Sequence, residues 1–109
     1  MNTLDAVRKC CLALPRAYEK LSHGTPCFFI EKGRHFCSFL NDHHGDGRLA
    51  LWLFAPPGVQ EALIAEDPDV YFRPPYVGPR GWIGVRLDRG LEWSVVEDLI
   101  TTAYAYAVS

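Results

Sequence analysis

Residues 73–82 read Arg73-Pro74-Pro75-Tyr76-Val77-Gly78-Pro79-Arg80-Gly81-Trp82, with three prolines and two glycines among them. Proline fixes φ at about −65° and glycine allows positive φ, so the stretch specifies one stiff backbone path. A simple linker has no need of a tyrosine or a tryptophan. We therefore expect a rigid loop, called the stiff loop below, that anchors the chain or presents a contact surface.

The sequence predicts two roles within the stiff loop. Its expected structural anchors are Pro75, Gly78, Gly81 and Trp82. The two glycines flank Arg80, so the backbone can turn sharply there and hold this side chain outward. Tyr76 is expected to fasten the loop to the body of the protein together with Trp82, and also to be available to a partner.

Hydrophobic spacing on either side of the loop predicts helices at residues 4–13, 59–65 and 92–107. Alternating or apolar runs predict strands at residues 27–31, 34–40, 48–54 and 82–87, and Tyr18–Leu21 can form a further short strand. The order is one helix, three or four strands, a helix, one or two strands, and a helix. Hairpins grouped between helices indicate a two-layer α+β fold, with a mainly antiparallel sheet and helices on one face.

The same patterns predict which side chains are buried. The expected core residues of helices 1 and 3 are Leu4, Val7, Val96, Ile100 and Tyr104. Lys32-Gly33 is predicted to form a tight hairpin turn. Strict alternation in the next strand predicts two faces, both partly covered. These are Arg34, Phe36 and Ser38 on one face, and His35, Cys37 and Phe39 on the other.

The chain has 109 residues, of which 49% are hydrophobic and 22% are charged. These values are ordinary for a globular protein and predict one domain over residues 1–109. No apolar run approaches the ~18 residues of a membrane span, and the N-terminus has no signal-peptide pattern, so we expect a cytoplasmic protein. The four cysteines show no Cys-x-x-Cys spacing, and we interpret them as free, buried thiols instead of zinc or redox groups.

Charge is unevenly distributed along the chain, although the net charge is only −2. Residues 1–54 carry seven basic and five acidic side chains, and residues 71–90 carry four basic and one acidic. Residues 55–70 carry four acidic side chains and residues 91–109 carry three, with no lysine or arginine in either range. The strands and the stiff loop are thus locally basic, which is compatible with an anionic partner at the sheet.

Four motifs stand out when the chain is taken as a whole. They are Leu14-Pro15, Ser22-His23-Gly24-Thr25-Pro26-Cys27-Phe28, Asp67-Pro68-Asp69-Val70-Tyr71-Phe72 and Pro75-Tyr76-Val77-Gly78-Pro79-Arg80-Gly81-Trp82-Ile83-Gly84-Val85. With them the chain resembles the MmcQ/YjbR-like family of small bacterial proteins, and the last motif is the most specific. The resemblance implies a CyaY-like or secretion-chaperone-like α+β fold. It also implies DNA binding, which has been suggested for members through a "double-wing" arrangement.

Two functions from different classes fit these observations. The first is DNA binding by a basic sheet and loop surface, where cations contact phosphates and Tyr76 or Trp82 stacks on bases. The candidate contact residues are Lys32, Arg34, Arg48, Arg73, Tyr76, Arg80 and Arg86. The second is a protein-interaction or adaptor domain, a homodimer included, that presents a sheet face or an edge strand and binds no nucleic acid.

An enzyme is the least favoured interpretation, because no catalytic constellation with specific spacing is present. His23 is the best single catalytic candidate, but a histidine in a turn more often serves only as a hydrogen-bonding residue. The loop at residues 41–47 has a set of groups that could bind a cation weakly, and a solvated hairpin connection is the favoured alternative. That set is Asp42, His43, His44 and Asp46. The sequence predicts no catalytic residue, no metal and no cofactor.

Overall fold

The computed structural model describes residues 3–32 and 34–108. Its helices are α1 (Thr3–Leu12), α2 (Val59–Glu66) and α3 (Trp93–Val108). Its strands are β1 (Ala17–Ser22), β2 (Thr25–Ile30), β3 (His35–Asn41), β4 (Leu49–Leu53), β5 (Tyr71–Phe72) and β6 (Ile83–Arg86). Short 3-10 turns lie at His43–Gly45 and Gly78–Arg80. The predicted order of elements is confirmed, with four strands before α2 and two after it within the described ranges.

The six strands form one sheet in which all neighbours are antiparallel, in the order β1-β2-β3-β4-β6-β5. The edges of the sheet are therefore β1, which has six residues, and β5, which has two. α1 and α3 pack on one face, and the stiff loop between β5 and β6 lies on the other. This is the two-layer α+β architecture that the hairpin pattern predicted.

Two side-chain contacts hold the helix layer against the sheet. Arg8 on α1 donates from Nε and from a terminal nitrogen to the two carboxylate oxygens of Glu19 on β1, at 2.8 and 2.9 Å. The Tyr104 hydroxyl on α3 donates to the carbonyl of Pro15 at 2.7 Å. Because Pro15 follows α1, this bond joins the last helix to the start of the chain.

The core lies between the helices and the sheet. Val7, Val96 and Ile100 are fully buried in it, as predicted, while Leu4 and Tyr104 are partly buried and pack against it. A second, smaller cluster lies on the opposite face of the sheet. It consists of Leu40, Trp52 and Trp82, with Phe54, Phe72 and Val77 packed beside them.

A β-bulge in β3 overturns the predicted alternation of that strand. The pairing register between β2 and β3 shifts by one residue beside Phe36, so β3 contains one extra residue. Phe36 and Cys37 are consequently both buried in the helix-side core. His35 and Ser38 share the opposite face, where their side chains lie 2.7 Å apart. The prediction that His35 shares a face of β3 with Cys37, and that Ser38 shares the other face with Phe36, is wrong.

The boundaries of the other elements agree with prediction to within two residues. The predicted turn at Lys32-Gly33 includes Gly33, which lies outside the described residues. All four cysteines are free; Cys11, Cys27 and Cys37 are buried as predicted, whereas Cys10 is only partly buried. Within the ranges that the structure describes, no helix has the length and apolar character needed to cross a membrane.

Candidate binding site

The stiff loop forms a tight turn around Tyr76. The Val77 N–H donates to the Pro75 carbonyl at 2.6 Å, and the Gly78 N–H donates to the Pro74 carbonyl at 3.0 Å. Tyr76 is the central residue of the resulting γ-turn and has a φ of 64°. Tyr76 is 73% exposed. The backbone therefore holds this ring out into solvent.

Trp82, not Tyr76, anchors the loop to the sheet. Trp82 is 3% exposed and packs in the cluster with Leu40 and Trp52. The expectation that Tyr76 fastens the loop is wrong, because its ring is exposed. Trp82 is in turn too buried to stack on a base. Gly81 makes the predicted sharp turn, at a φ of 90°.

Gly78 is needed for the space that its missing side chain leaves, and not for a sharp turn of the backbone. A Cβ placed on Gly78 would lie 2.7 Å from Cγ of Arg73, which is closer than real Cβ contacts. Glycine at this position therefore lets the aliphatic part of Arg73 lie across the loop. Among the other predicted anchors, Pro75 is exposed and contributes its carbonyl to the turn, whereas the unpredicted Pro74 is fully buried.

Gln60 on α2 fixes the stiff loop from behind. Gln60 is 4% exposed, and its amide nitrogen donates to the carbonyl of Gly78 at 2.9 Å and to the carbonyl of Trp82. This residue is not among those predicted from the sequence, because a glutamine beside a glutamate suggests a solvent-facing position. The available signal was helical spacing, since Gln60 lies three and four residues before Leu63 and Ile64.

A cavity of about 490 Å³ lies on the sheet face opposite the helices. All four histidines of the chain line it, and we call it the histidine cavity. Its walls include His23, Cys27, His35, His43, Trp52 and Tyr76. Its volume is within the range of about 300–1,000 Å³ that is typical of small-molecule sites.

Hydrogen bonds connect three side chains on one wall of the histidine cavity. Ser38 Oγ lies 2.7 Å from His35 Nε2 and 3.3 Å from Cys27 Sγ, and His35 Nε2 also lies 3.0 Å from the Cys37 carbonyl oxygen. Burial lowers the pKa of His35; the hydrogen bond to Cys37 opposes this effect and the charge of Arg80 adds to it. Burial raises the pKa of the Cys27 thiol. Both groups are consequently uncharged near pH 7.

Trp52 forms the buried end of the cavity. It is 7% exposed, and its Nε1 is buried with no hydrogen-bond partner among the described residues. The His43 ring lies edge-on to the Trp52 ring with centroids 4.9 Å apart, and the Tyr76 ring lies 6.1 Å from His43. These three rings run from the buried end of the cavity to the exposed stiff loop.

Two of the predicted basic residues lie beside Tyr76. Arg48 and Arg73 line a shallow concavity on the other side of the Tyr76 ring, which His43 and His44 also border. The Arg48 guanidinium lies over the Phe72 ring at 4.2 Å and 4.0 Å from the Asp46 carboxylate.

The other predicted basic residues are distributed over the surface. Arg80 is exposed, as expected, and lies close enough to His35 to affect its pKa. Lys32 and Arg34 line a different cavity, at the β2–β3 turn. Arg86 is occupied by a bidentate ion pair with Asp88, at 3.0 and 3.2 Å. The structure thus brings Arg48 and Arg73 together with Tyr76 and places Arg80 near His35. Lys32 lies at the other cavity, Arg34 lies over the Phe54 ring at 5.6 Å, and Arg86 is close enough to Asp46, the partner of Arg48, for that charge to raise its pKa.

In the described ranges, no group of three or more His, Cys, Asp or Glu side chains is placed to hold a metal ion. In the loop before β4, Asp42 and Asp46 instead accept hydrogen bonds from the backbone N–H groups of Gly47 and Arg48, at 2.7 and 2.9 Å. The two carboxylates therefore shape the loop that carries His43.

The fold defines a small α+β protein with helices on one face of its sheet and the histidine cavity on the other. The chain belongs to the YjbR family, because the family model YjbR matches residues 12–106. This confirms the resemblance carried by the four sequence motifs.

The chain is also similar to a solved structure, that of the Deinococcus radiodurans protein DR2400 with the family-model domain DUF419. The TM-score is 0.81 and the identity is 22%, over 97% of this chain and 78% of that one. At this identity the likeness supports the fold. The search of curated proteins found no match.

Proposed function

We propose that this protein is a cytoplasmic DNA-binding module, not an enzyme, and that it binds single strands through the surface around Tyr76. The observation that carries the proposal is the conformation of Tyr76, which is 73% exposed at a φ of 64°. A left-handed backbone costs a non-glycine residue about 1–2 kcal/mol. Glycine would fit the turn without that cost. Five other described non-glycine residues also have a positive φ, but among the six only Tyr76 is a large hydrophobic side chain, and it is exposed.

The exposed ring supports binding to unpaired bases. Bases of single strands stack on exposed aromatic side chains, and each stacked base contributes about 1–3 kcal/mol. In a duplex the base faces are covered by neighbouring pairs, so an isolated exposed tyrosine offers less there. Arg73 and Arg80 are exposed on the same loop, and Arg48 lies beside it. Their guanidinium groups are suited to the phosphates that flank a stacked base.

The chemistry of the histidine cavity supports binding over catalysis. A reactive cysteine requires a lowered pKa, and burial raises the pKa of Cys27. Cys27 contacts Ser38, and it is Ser38 that contacts His35, so the thiol has no direct base partner in this arrangement.

The test is fluorescence anisotropy with a labelled single-stranded 12-mer and its duplex, at low salt. We expect Tyr76→Ala to weaken single-strand binding by about 5- to 150-fold, which is the loss of one stacked base. Tyr76→Phe keeps the ring and should bind like wild type. Tyr106→Ala changes a partly exposed tyrosine on the helix layer and serves as the matched control. Equal affinities of wild type and Tyr76→Ala, or no binding by wild type, would contradict the proposal.

A protein-interaction function is the second candidate, and the free edge of β1 favours it. Leu21 on this strand is 63% exposed, and Leu12 at the end of α1 is 46% exposed. An unpaired edge with apolar side chains can add a strand from another chain or from a second copy. A molar mass that rises with concentration, without DNA binding, would favour this function over the first.

A further inference from the structure

We infer that the histidine cavity takes one base of the bound strand, unstacked from its neighbours, and that Trp52 Nε1–H donates a hydrogen bond to it. This inference rests on the proposed function and names the part of the ligand that the cavity recognises. It concerns the cavity wall, whereas the proposed function concerns the exposed loop.

The first reason is the unpaired donor of Trp52, which lines the cavity but whose Nε1 is closed to solvent, so a base reaches it only when the side chains around the indole give way. Trp52 is 93% buried, and its Nε1–H has no acceptor in the described part of the chain. Buried polar groups almost always have a partner, so an exception needs an explanation such as a missing ligand. Indole N–H is only a donor, so the missing group must be an acceptor. Every nucleobase carries carbonyl oxygens or ring nitrogens that can accept this bond.

The second reason is that the described cavity wall carries no permanently charged side chain. No lysine, arginine, aspartate or glutamate is among its described lining residues. The Cys27 thiol and the His35 ring are uncharged near neutral pH, because burial raises the pKa of the thiol and lowers the pKa of the imidazole. Aromatic rings and hydroxyl groups form much of the remaining wall. Such a site suits a neutral, planar, hydrogen-bonding ring and not an anion or a metal ion.

The third reason is the separation of neutral and positive surfaces. Arg73 and Arg80 lie on the stiff loop outside the cavity, while Tyr76 belongs to both the loop and the cavity wall. A nucleotide has the same division, since its base is neutral and its phosphate is charged. One base can therefore stack on Tyr76 while its neighbour enters the cavity past His43.

The test uses the three indole N–H signals of the 15N-labelled protein, which report on Trp52, Trp82 and Trp93. Trp52→Phe assigns the Trp52 signal and removes the donor while keeping an aromatic ring. Trp93→Phe is the matched control, because Trp93 lies on α3 in the helix layer. The probes are single-stranded octamers of T, C or A, an octamer with abasic sites throughout, and free nucleoside monophosphates.

We expect at least one base-containing octamer to shift the Trp52 indole proton downfield, and the abasic octamer to leave it unchanged. Trp52→Phe should weaken binding of that octamer by about 2- to 12-fold, which corresponds to one neutral hydrogen bond. Trp93→Phe should bind within twofold of wild type. Because the titration is performed on wild-type protein, it remains decisive if Trp52→Phe folds poorly.

The outcomes separate this inference from the proposed function. One outcome is that octamers bind, that Tyr76→Ala weakens their binding, and that the Trp52 signal stays unchanged. In that case the cavity inference is wrong and the proposed function stands. If no octamer binds but a free nucleotide shifts the Trp52 signal, strand binding is wrong and the cavity recognises a base in a free nucleotide. If neither probe binds, both are wrong.

Discussion

Tyr76 shows how a single residue can conflict with the local preference of its own loop. Its φ of 64° suits glycine, and two glycines occur within the next five residues, yet a tyrosine occupies the turn. The sequence indicated a stiff loop with an outward arginine, and it placed Tyr76 and Trp82 together as anchors. Composition could not assign one ring to the core and the other to solvent. That depends on the direction of the backbone at each residue, which the γ-turn sets.

Tyr76→Gly tests whether the tyrosine is present for function. Relief of the left-handed strain gains about 1–2 kcal/mol, and the extra freedom of glycine in the unfolded chain costs about 0.4–1 kcal/mol. We expect the free energy of unfolding to stay unchanged or rise by up to about 1.6 kcal/mol, while DNA binding is lost. Chemical denaturation checks this, with Tyr76→Ala as the control that keeps the strain. A Tyr76→Gly protein less stable than Tyr76→Ala would show that the turn is not strained.

His35 predicts a pH dependence of stability. Its pKa is lowered in the folded state, so below about pH 6.5, the ordinary histidine value, the unfolded chain binds a proton that the folded chain does not. The contribution of His35 to stability is therefore retained above that pH and lost as the pH falls through it. Denaturation curves between pH 7.5 and 5.5 should show a decline that His35→Gln reduces. An identical decline in the variant would assign the effect to other groups.

At the scale of elements, the order and type of helices and strands followed from the sequence because each has a clear hydrophobic period. The bulge in β3 could not be predicted from the sequence. Phe36 and Cys37 are both apolar, so a regular strand would bury one of them whichever of its two faces met the core. The histidine cavity could not be predicted from the sequence either. Its walls come from β1, β2, β3 and β4 and from the three connections that carry His23, His43 and Tyr76, and the bulge decides that His35 faces it.

Gln60 connects α2 to the stiff loop, and its removal should loosen that loop. Gln60→Ala leaves two buried carbonyls, those of Gly78 and Trp82, without this donor. We expect a loss of about 1–3 kcal/mol in the free energy of unfolding, together with weaker DNA binding. The neighbouring Glu61→Ala changes an exposed side chain and should stay within about 0.5 kcal/mol. Equal stability of the two variants would mean that α2 does not hold the loop.

The α3 helix supports the sheet through its buried face. Ile100 is fully buried, so Ile100→Ala should lower the free energy of unfolding by about 2–5 kcal/mol. Val95→Ala on the same helix removes methyl groups at a 37% exposed position and should cost much less. Urea denaturation of both variants measures the difference. A loss below about 0.5 kcal/mol for Ile100→Ala is incompatible with this packing.

At the scale of the whole molecule, charge is unevenly distributed among the segments of the chain. Seven acidic side chains fall in residues 55–70 and 91–109, ranges that contain α2 and α3, while the stiff loop is basic. A net charge of −2 limits long-range attraction to DNA. Affinity should therefore depend on a few local contacts, and its salt dependence should be shallow.

Salt titration of single-strand binding measures the number of those contacts. With Arg48, Arg73 and Arg80 each on a phosphate, the slope of log K against log salt should be about −2, from about −0.7 for each contact. Arg80→Ala should reduce its magnitude by about 0.7. Arg89→Ala serves as the control, because Arg89 pairs with Asp69, 3.5 Å away. A slope that Arg80→Ala leaves unchanged would remove Arg80 from the interface.

The bulge beside Phe36 also sets where this strand can change its length. Phe36 and Cys37 both face the helix layer, so deletion of Phe36 would restore an even pleat and leave His35, Ser38 and Leu40 on the cavity face, with the loss of one core ring. Deletion of Ser38 would instead exchange the faces of Phe39 and Leu40. The connection at residues 42–47 carries His43 and His44 of the cavity wall, so its length is constrained as well. Within β3, the bulge is therefore the position at which a residue can be lost without turning the strand over.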